Sequence, residues 1–279
     1  MIQIRTMSEA DLPLGMRLKA QANWNQTEAD WRRVLELEPE GCFVAEWDGS
    51  PVGTTAAVRF GGVAWIMMVL VDESFRGRGI GTRLMQHALE YLDSRSVVTI
   101  RLDATPLGRP VYEKLGFQAE YPLARFQHIG LAPQSNDDLE AVAAEQLDAI
   151  CALDRQATGA DRSRLIRRLY AEQPSSFQVV GEGPAVVGYG AYRIGSGANQ
   201  VGPVIATSET VGLALYDRLI ARCGHVPLFM DIPLENRPAI QWAEARAFAV
   251  QRRLTRMSRG GRVDDHPLEL WASFGPEKG

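Results

Sequence analysis

An apolar run of strand length, Ala64 to Val71, leads directly into Asp72-Glu73-Ser74-Phe75-Arg76-Gly77-Arg78-Gly79-Ile80-Gly81-Thr82 and then into a helical pattern with apolar residues at Leu84, Ala88, Leu89 and Leu92. A strand that ends in closely spaced glycines and turns into a helix meets the physical needs of a pyrophosphate site. Glycines let consecutive N–H groups face one anion, and the helix N-terminus adds partial positive charge. Arg76 and Arg78 strengthen the attraction. Two competing phosphate loops fail on the letters. A dinucleotide fingerprint needs glycine where Thr82 stands, and a P-loop needs lysine before its serine or threonine, which this segment lacks. Taken alone, the segment also reads as a plain glycine turn between strand and helix.

A second motif follows some thirty residues later, Tyr112-x-x-x-Gly116-Phe117 at the end of a short helical stretch. Arg-x-x-Gly-x-Gly after an apolar strand, then a further strand, then Tyr-x-x-x-Gly-Phe resembles the two central motifs of the GNAT acetyltransferase superfamily. The resemblance covers residues 1 to about 130. It implies an α/β (α+β) fold whose mixed sheet is splayed between two strands, with acetyl-CoA wedged into the opening as cosubstrate. It also implies that Val69, Leu70 and Val71 offer backbone groups to the pantetheine arm. Arg76, Gly77, Arg78, Gly79, Ile80, Gly81 and Thr82 would hold the pyrophosphate. Tyr112 would lie near the thioester sulfur as general acid to the departing thiolate. One position departs from the family: Thr105 stands where asparagine is common, and its hydroxyl is expected either on the cofactor arm or capping the next helix. The loop Asp103 to Pro110 is similar to that of a bacterial subgroup of two-domain members.

The elements that must position these residues are legible in outline. A strand at Ile2 to Arg5 precedes a helix through Leu12 to Ala20, and a second helix spans Glu28 to Leu37 with Thr27 as its cap. Cys42 to Trp47 and Pro51 to Val58 flank Asp48-Gly49-Ser50 as a hairpin. Val97 to Leu102 is a further strand. A linker is expected at Ala132 to Asp138, dividing a catalytic domain, 1–132, from a second GNAT-like domain, 133–279. Beyond it the pattern predicts helices at Leu139 to Leu153, Arg162 to Tyr170, Val211 to Arg222 and Pro238 to Ala247. Strands are expected at Phe177 to Val180, Ala185 to Arg193, Gln200 to Ala206 and Leu228 to Ile232.

Phe117 and Phe248 set an offset of 131 residues between the halves. It carries Thr105, Gly108, Tyr112 and Gly116 onto Asn236, Ala239, Ala243 and Ala247, so the tyrosine is lost. Without gaps, it carries the glycine loop onto Thr207, Ser208, Glu209, Thr210 and Gly212, with both arginines gone and an acid where phosphate would sit. The second copy therefore reads as degenerate, kept for structure or for shaping the acceptor site.

For the acceptor, the resemblance points to Trp24 and Asn25, in the loop between the first two helices. Trp24 would stack on the acceptor and Asn25 would orient it. The implied reaction is N-acetyl transfer to a primary amine of a small molecule or peptide, which needs a base to take the amine proton. Glu46, Asp72, Glu73, Asp103 and His128 are candidates, and no spacing selects among them. The net charge of −4 favours a cationic acceptor, weakly. Neither half is basic, which argues against nucleic acid and anionic membrane as partners, and a homodimer is left open. Cys42, Cys151 and Cys223 lack any metal or redox spacing, as do His87, His128, His225 and His266, so no metal is expected. The start of the chain lacks a signal-peptide plan and there is no apolar run of membrane length, so a cytoplasmic location is expected. A regulatory module that binds acyl-CoA without turnover is the competing reading, and Tyr112 weighs against it.

Overall fold

In the first half, the apolar and β-branched runs become β1 (Ile2–Thr6), β2 (Cys42–Trp47), β3 (Ser50–Phe60), β4 (Val63–Val71), β5 (Thr99–Ala104) and β6 (Gln118–His128). Between them lie α1 (Leu12–Gln21), α2 (Glu28–Leu37), α3 (Ile80–Asp93) and α4 (Arg109–Lys114). The second half supplies α5 (Leu147–Thr158), α6 (Ser163–Glu172), β7 (Gln178–Glu182), β8 (Ala185–Arg193), β9 (Asn199–Ala206) and α7 (Glu209–Cys223). It ends with β10 (Leu228–Pro233), α8 (Arg237–Ala245), β11 (Ala249–Gly260) and β12 (Leu270–Ala272). The computed structural model describes residues 1–130, 142–182, 185–223 and 226–275; the expected linker lies outside them.

Local chemistry explains several boundaries. The Thr27 amide donates to Asp30 Oδ2 at 2.9 Å, so the start of α2 is closed by its own third residue. Asp48 and Gly49 both have positive φ, which matches the twist of the β2–β3 hairpin. The expected helix from Leu139 begins instead at Leu147 among the described residues, and the strand expected from Val97 starts at Thr99. β6, β11 and β12 are additions: the sequence pattern did not predict them.

These additions decide the architecture. The strands form one sheet in the order β1-β2-β3-β4-β5-β11-β6-β10-β9-β8-β7, with β12 paired to β9. The last long strand of each half thus crosses into the other half: β11 lies against β5 and β6 lies against β10. Where β6 and β11 meet, Leu123 faces Leu254, its own counterpart under the 131-residue offset, so an approximate twofold axis runs through this pair.

Each exchanged strand is pinned by a buried arginine. Arg256 of β11 makes two hydrogen bonds of 2.9 Å to Asp103 of β5, and Arg125 of β6 makes two of 2.8 Å to Asp231 of β10. Arg125 and Arg256 are again counterparts under the offset. Buried pairs of this kind add little net stability over apolar packing, but leaving one charge alone is expensive. They fix which strand lies where.

Helices cover both faces. On one face α3 packs over β2 to β5 with Ile80, Leu84, Met85, Ala88 and Leu92 buried, and α7 and α8 cover the second half. On the other face α1, α2, α5 and α6 share one continuous core, which includes Trp31, Val34, Leu165, Ile166 and Phe177. That core spans both halves.

Candidate active site

β4 and β5 are parallel and paired only at Val63–Trp65 with Thr99–Arg101, after which they part. A cavity of about 1110 Å³ fills the opening, reaching the α3 face at the glycine loop and the α1–α2 face at Trp24. β4 is interrupted within this opening. Its register with β3 shifts between Thr54 and Ala56, leaving an extra residue in β4, and Met68 there has φ +53°. The Thr54 hydroxyl donates to the Met68 carbonyl at 3.0 Å. A bulge of this type releases backbone groups from the ladder, and Met68, Val69, Leu70 and Val71 all line the cavity. No pattern in the letters signals it.

The glycine loop closes one end. Gly77 and Gly79 have φ of +76° and +79°, a region that L side chains adopt at a cost, and Gly79 immediately precedes α3. Arg76 Nε donates back to the Val71 carbonyl at 3.2 Å, which folds the loop over the strand end. Arg76, Gly77, Gly79, Ile80, Gly81 and Thr82 line the cavity, where the first amides of α3 have no intrahelical partner. Arg78 does not. Its guanidinium lies 5.2 Å from the ring centroids of both Trp47 and Phe75, a cation–π arrangement outside the cavity lining.

Tyr112 projects from α4 into the same cavity, its ring 6.2 Å from that of Phe117. Burial pushes its phenol up to about 12, so it holds its proton at neutral pH. Among the described residues its hydroxyl has no hydrogen-bond partner, which leaves it available to a ligand. Thr105 accepts from the Gly108 amide at 3.2 Å and so caps α4 while also lining the cavity.

Of the other residues singled out in the sequence, Trp24 lines the cavity half-buried. Asn25 lines it too, but its side chain is spent elsewhere. Its Oδ1 accepts from the amides of Gly197 and Ala198 at 3.0 and 3.1 Å, and its Nδ2 donates to the Ala198 carbonyl at 2.8 Å. It clips the α1–α2 loop to the second half, a contact that local spacing could not reveal.

Among the base candidates only Asp103 reaches the cavity. Burial raises its pKa, while the Arg256 guanidinium opposes the rise. Glu46 is taken by Arg5, and the His128 ring accepts from the Gly130 amide. Asp72 pairs with Arg17, and against the opposing effect of burial the Ser74 amide and Arg17 hold its carboxyl below the usual range. Glu73 is not part of the cavity lining, and its backbone amide donates to Gln21 Oε1 at 3.3 Å. Sequence reasoning also missed four arginines, Arg125, Arg193, Arg252 and Arg253, which enter the cavity wall from β6, β8 and β11.

The corresponding opening in the second half is shut. β9 and β10 pair in parallel only at Asn199–Val201 with Leu228–Met230, and β12 fills the space beyond. Leu270 faces Ile205, Ala272 faces Val204, and the Ser273 amide donates to the Asp231 carbonyl at 2.9 Å. Asn236 accepts from the Ala239 amide, as Thr105 does from Gly108, and its Nδ2 donates to the Leu268 and Leu270 carbonyls. Trp271 lies so close under α7 that a Cβ on Gly212 would fall 2.0 Å from it. The ungapped reading of the loop needs correction here. Only Thr207 and Ser208 separate β9 from α7, so the glycine loop is deleted, and Glu209 is the first residue of the helix. Ala243, in place of Tyr112, is fully buried.

Among the described residues, no cluster of His, Cys, Asp and Glu could hold a metal, and no helix is long and apolar enough to cross a membrane. The three cysteines are buried thiols.

A splayed mixed sheet, a glycine loop at a helix N-terminus and a half-buried tyrosine thus line one cavity. The chain belongs to the GNAT acetyltransferase family: residues 6–117 match the model of the acetyltransferase (GNAT) family and residues 150–272 match an acetyltransferase (GNAT) domain model. It is similar to the holothin acyltransferase of a Pseudoalteromonas species, with 25% identity over 90% of this chain and 86% of the relative. It also resembles the uncharacterized N-acetyltransferase YitH of Bacillus subtilis, with 26% identity over 79% of this chain and 78% of that one. A solved structure from Pyrococcus horikoshii, proposed to be an acetyltransferase, shares the fold over all of this chain and 96% of its own, at 23% identity and a TM-score of 0.84.

Proposed function

We propose that the chain is an acetyl-CoA-dependent N-acetyltransferase with one working site, in residues 1–132, and a degenerate second domain, 133–279, that completes the acceptor wall. The observation that carries this reading is the contrast between the two splayed openings. One is a large cavity with its glycine loop and tyrosine in place; the other is filled by β12 and has lost both. The cavity suits an elongated thioester with a pyrophosphate, because loop amides and apolar strand residues succeed one another along it.

Acetyl-CoA supplies the acetyl group, which leaves sulfur for nitrogen as the C–S bond breaks and a C–N bond forms in a ternary complex. The loop amides and Arg76 hold the pyrophosphate, and the bulged backbone at Met68 and Val69 offers donors to the thioester carbonyl oxygen as negative charge builds there. Tyr112 gives its proton to the departing thiolate. The amine loses one proton to a base or to water, and the tyrosinate recovers one, so the sum is neutral. Asp103, engaged on both oxygens by Arg256, positions β11 in this scheme and is not assigned the base.

Calorimetric titration with acetyl-CoA tests the reading. One site per chain is expected, and Tyr112→Phe should bind acetyl-CoA as before while thiol release slows roughly 10²- to 10⁴-fold. Two sites per chain would overturn the degenerate assignment. Binding without thiol release over a broad amine panel would favour a non-catalytic acyl-CoA sensor.

A further inference from the structure

The exchanged strand β11 brings an uncommitted cation to the donor side of the cavity. Alternation along the strand fixes its face. Met257 is buried in the core beneath α3, so Thr255 and Arg253 point that way, while Arg256 points to Trp65 in the α1–α2 core. Ala124, opposite Arg253 on β6, is buried in the core that α7 and α8 cover, on the same side of the sheet as α3. Arg253 is exposed, lines the cavity and makes no ion pair among the described residues. Other arginines of the lining are engaged on the opposite face: Arg125 with Asp231, Arg193 with Asp30 and Arg252, opposite Arg125, with Gln251. Arg76 and Arg253 are therefore the cations that line the α3 side among the described residues.

These two stand on opposite lips of the opening. Arg76 is folded back on the end of β4 through its bond to the Val71 carbonyl. Across the gap, Thr255 is opposite Ala104, the last residue of β5, so Arg253 lies two residues, about 7 Å, past the end of that strand. Counting on from the Trp65–Arg101 pair, Ala104 is level with Met68, which puts Arg253 outward of the bulge and towards the level of the glycine loop. Leu107 and Val111, both apolar and both exposed, line the same cavity. Under the 131-residue offset the counterpart of Arg253 is Pro122, so the filled opening has a proline where the working one has a cation.

We propose that Arg253 holds the 3′-phosphate of acetyl-CoA, with Leu107 and Val111 offering an apolar surface to the adenine, so that the second half completes the donor site. This deepens the N-acetyltransferase reading and rests on it. CoA carries two anionic centres, the pyrophosphate and the phosphate monoester on its ribose. The glycine-loop amides and Arg76 meet the first on the β4 lip, and Arg253 meets the second on the β11 lip. A guanidinium binds a phosphate monoester through forked hydrogen bonds, and Arg253 has no ion pair to break before doing so. Exchange of β6 and β11 between the halves thereby acquires a consequence for binding as well as for architecture.

The test is calorimetric titration of the full chain with CoA and with 3′-dephospho-CoA, which keeps the pyrophosphate and lacks the monoester. The parent should prefer CoA, less so as salt is added. Arg253→Gln should weaken CoA about tenfold and 3′-dephospho-CoA by less than about twofold, and Arg253→Lys should restore part of the preference. Arg76→Gln should weaken both compounds to a similar extent. Because Arg253 is exposed and outside the ion-pair network, the Tm of its variants should match that of the parent.

Arg253→Gln weakening both compounds alike would put this cation on the pyrophosphate and overturn the proposal, as would affinity for both left unchanged. Titration of acetyl-CoA and succinyl-CoA adds a further arm. A loss at Arg253→Gln confined to the succinyl compound would assign the residue to the acyl group instead, against the proposal. Failure of the parent to bind either CoA or 3′-dephospho-CoA would sink the acetyl-CoA reading and this assignment with it, whereas binding of both without discrimination sinks the assignment alone.

Discussion

Gly79→Ala isolates the backbone role of the glycine loop. Gly79 has φ +79°, and a Cβ built there meets no atom within 4 Å, so alanine is opposed by conformation alone and by no clash. Holding an L residue in the left-handed region costs about 1–2 kcal/mol. Residues 76–79 are exposed, so the loop of the free protein can relax and the cost falls on the state that needs the glycine geometry. If that state is the one holding pyrophosphate, the Kd for acetyl-CoA rises roughly 5- to 30-fold. Gly49 provides a matched control. It sits at the hairpin tip with φ +82° and equally empty surroundings, and it does not line the cavity. Gly49→Ala should lower Tm and leave Kd alone. Isothermal titration of acetyl-CoA into the three proteins reads Kd, and thermal unfolding of the same proteins reads Tm. A Kd for Gly79→Ala within about twofold of the parent would refute the assignment of this loop as the phosphate cradle.

Tyr112 is protonated up to about pH 12, so no basic limb from it is expected in kcat between pH 7 and 10, and a limb that vanishes in Tyr112→Phe would contradict the shift. Trp271→Ala removes the ring that fills the second opening and should cost about 3–5 kcal/mol in chemical denaturation without adding a second acetyl-CoA site. Asp231→Ala strands the Arg125 guanidinium and should destabilise by about 3–5 kcal/mol. The double change Arg125→Met with Asp231→Leu should recover most of that loss in the same denaturation curves.

Much of the candidate site follows from local sequence. A glycine loop between an apolar strand and an amphipathic helix can be read from letters, because the conformations it needs are properties of the residues themselves. The same holds for Tyr112, whose spacing to Gly116 and Phe117 places it on one short helix, and for the Thr105 cap, which reaches only three residues ahead. The offset of 131 residues also held wherever the elements are continuous, from the helix caps at Thr105 and Asn236 through the long strands β6 and β11.

Tertiary structure alone decided the rest. Deletion of the second glycine loop breaks the offset, so an ungapped comparison put Glu209 in a loop that does not exist. Strands β6 and β11 exchange between the halves because their arginines find aspartates on the other half's strands, a match between residues more than a hundred positions apart. Asn25 looked like a substrate contact from its neighbours in sequence, yet it holds a loop of the second half. The four arginines that line the cavity come from β6, β8 and β11, which carry no common motif and meet only when the exchanged sheet is assembled. Periodicity and turn chemistry report on a residue's immediate neighbours, whereas this part of the cavity is lined by strands that come together only in the folded chain.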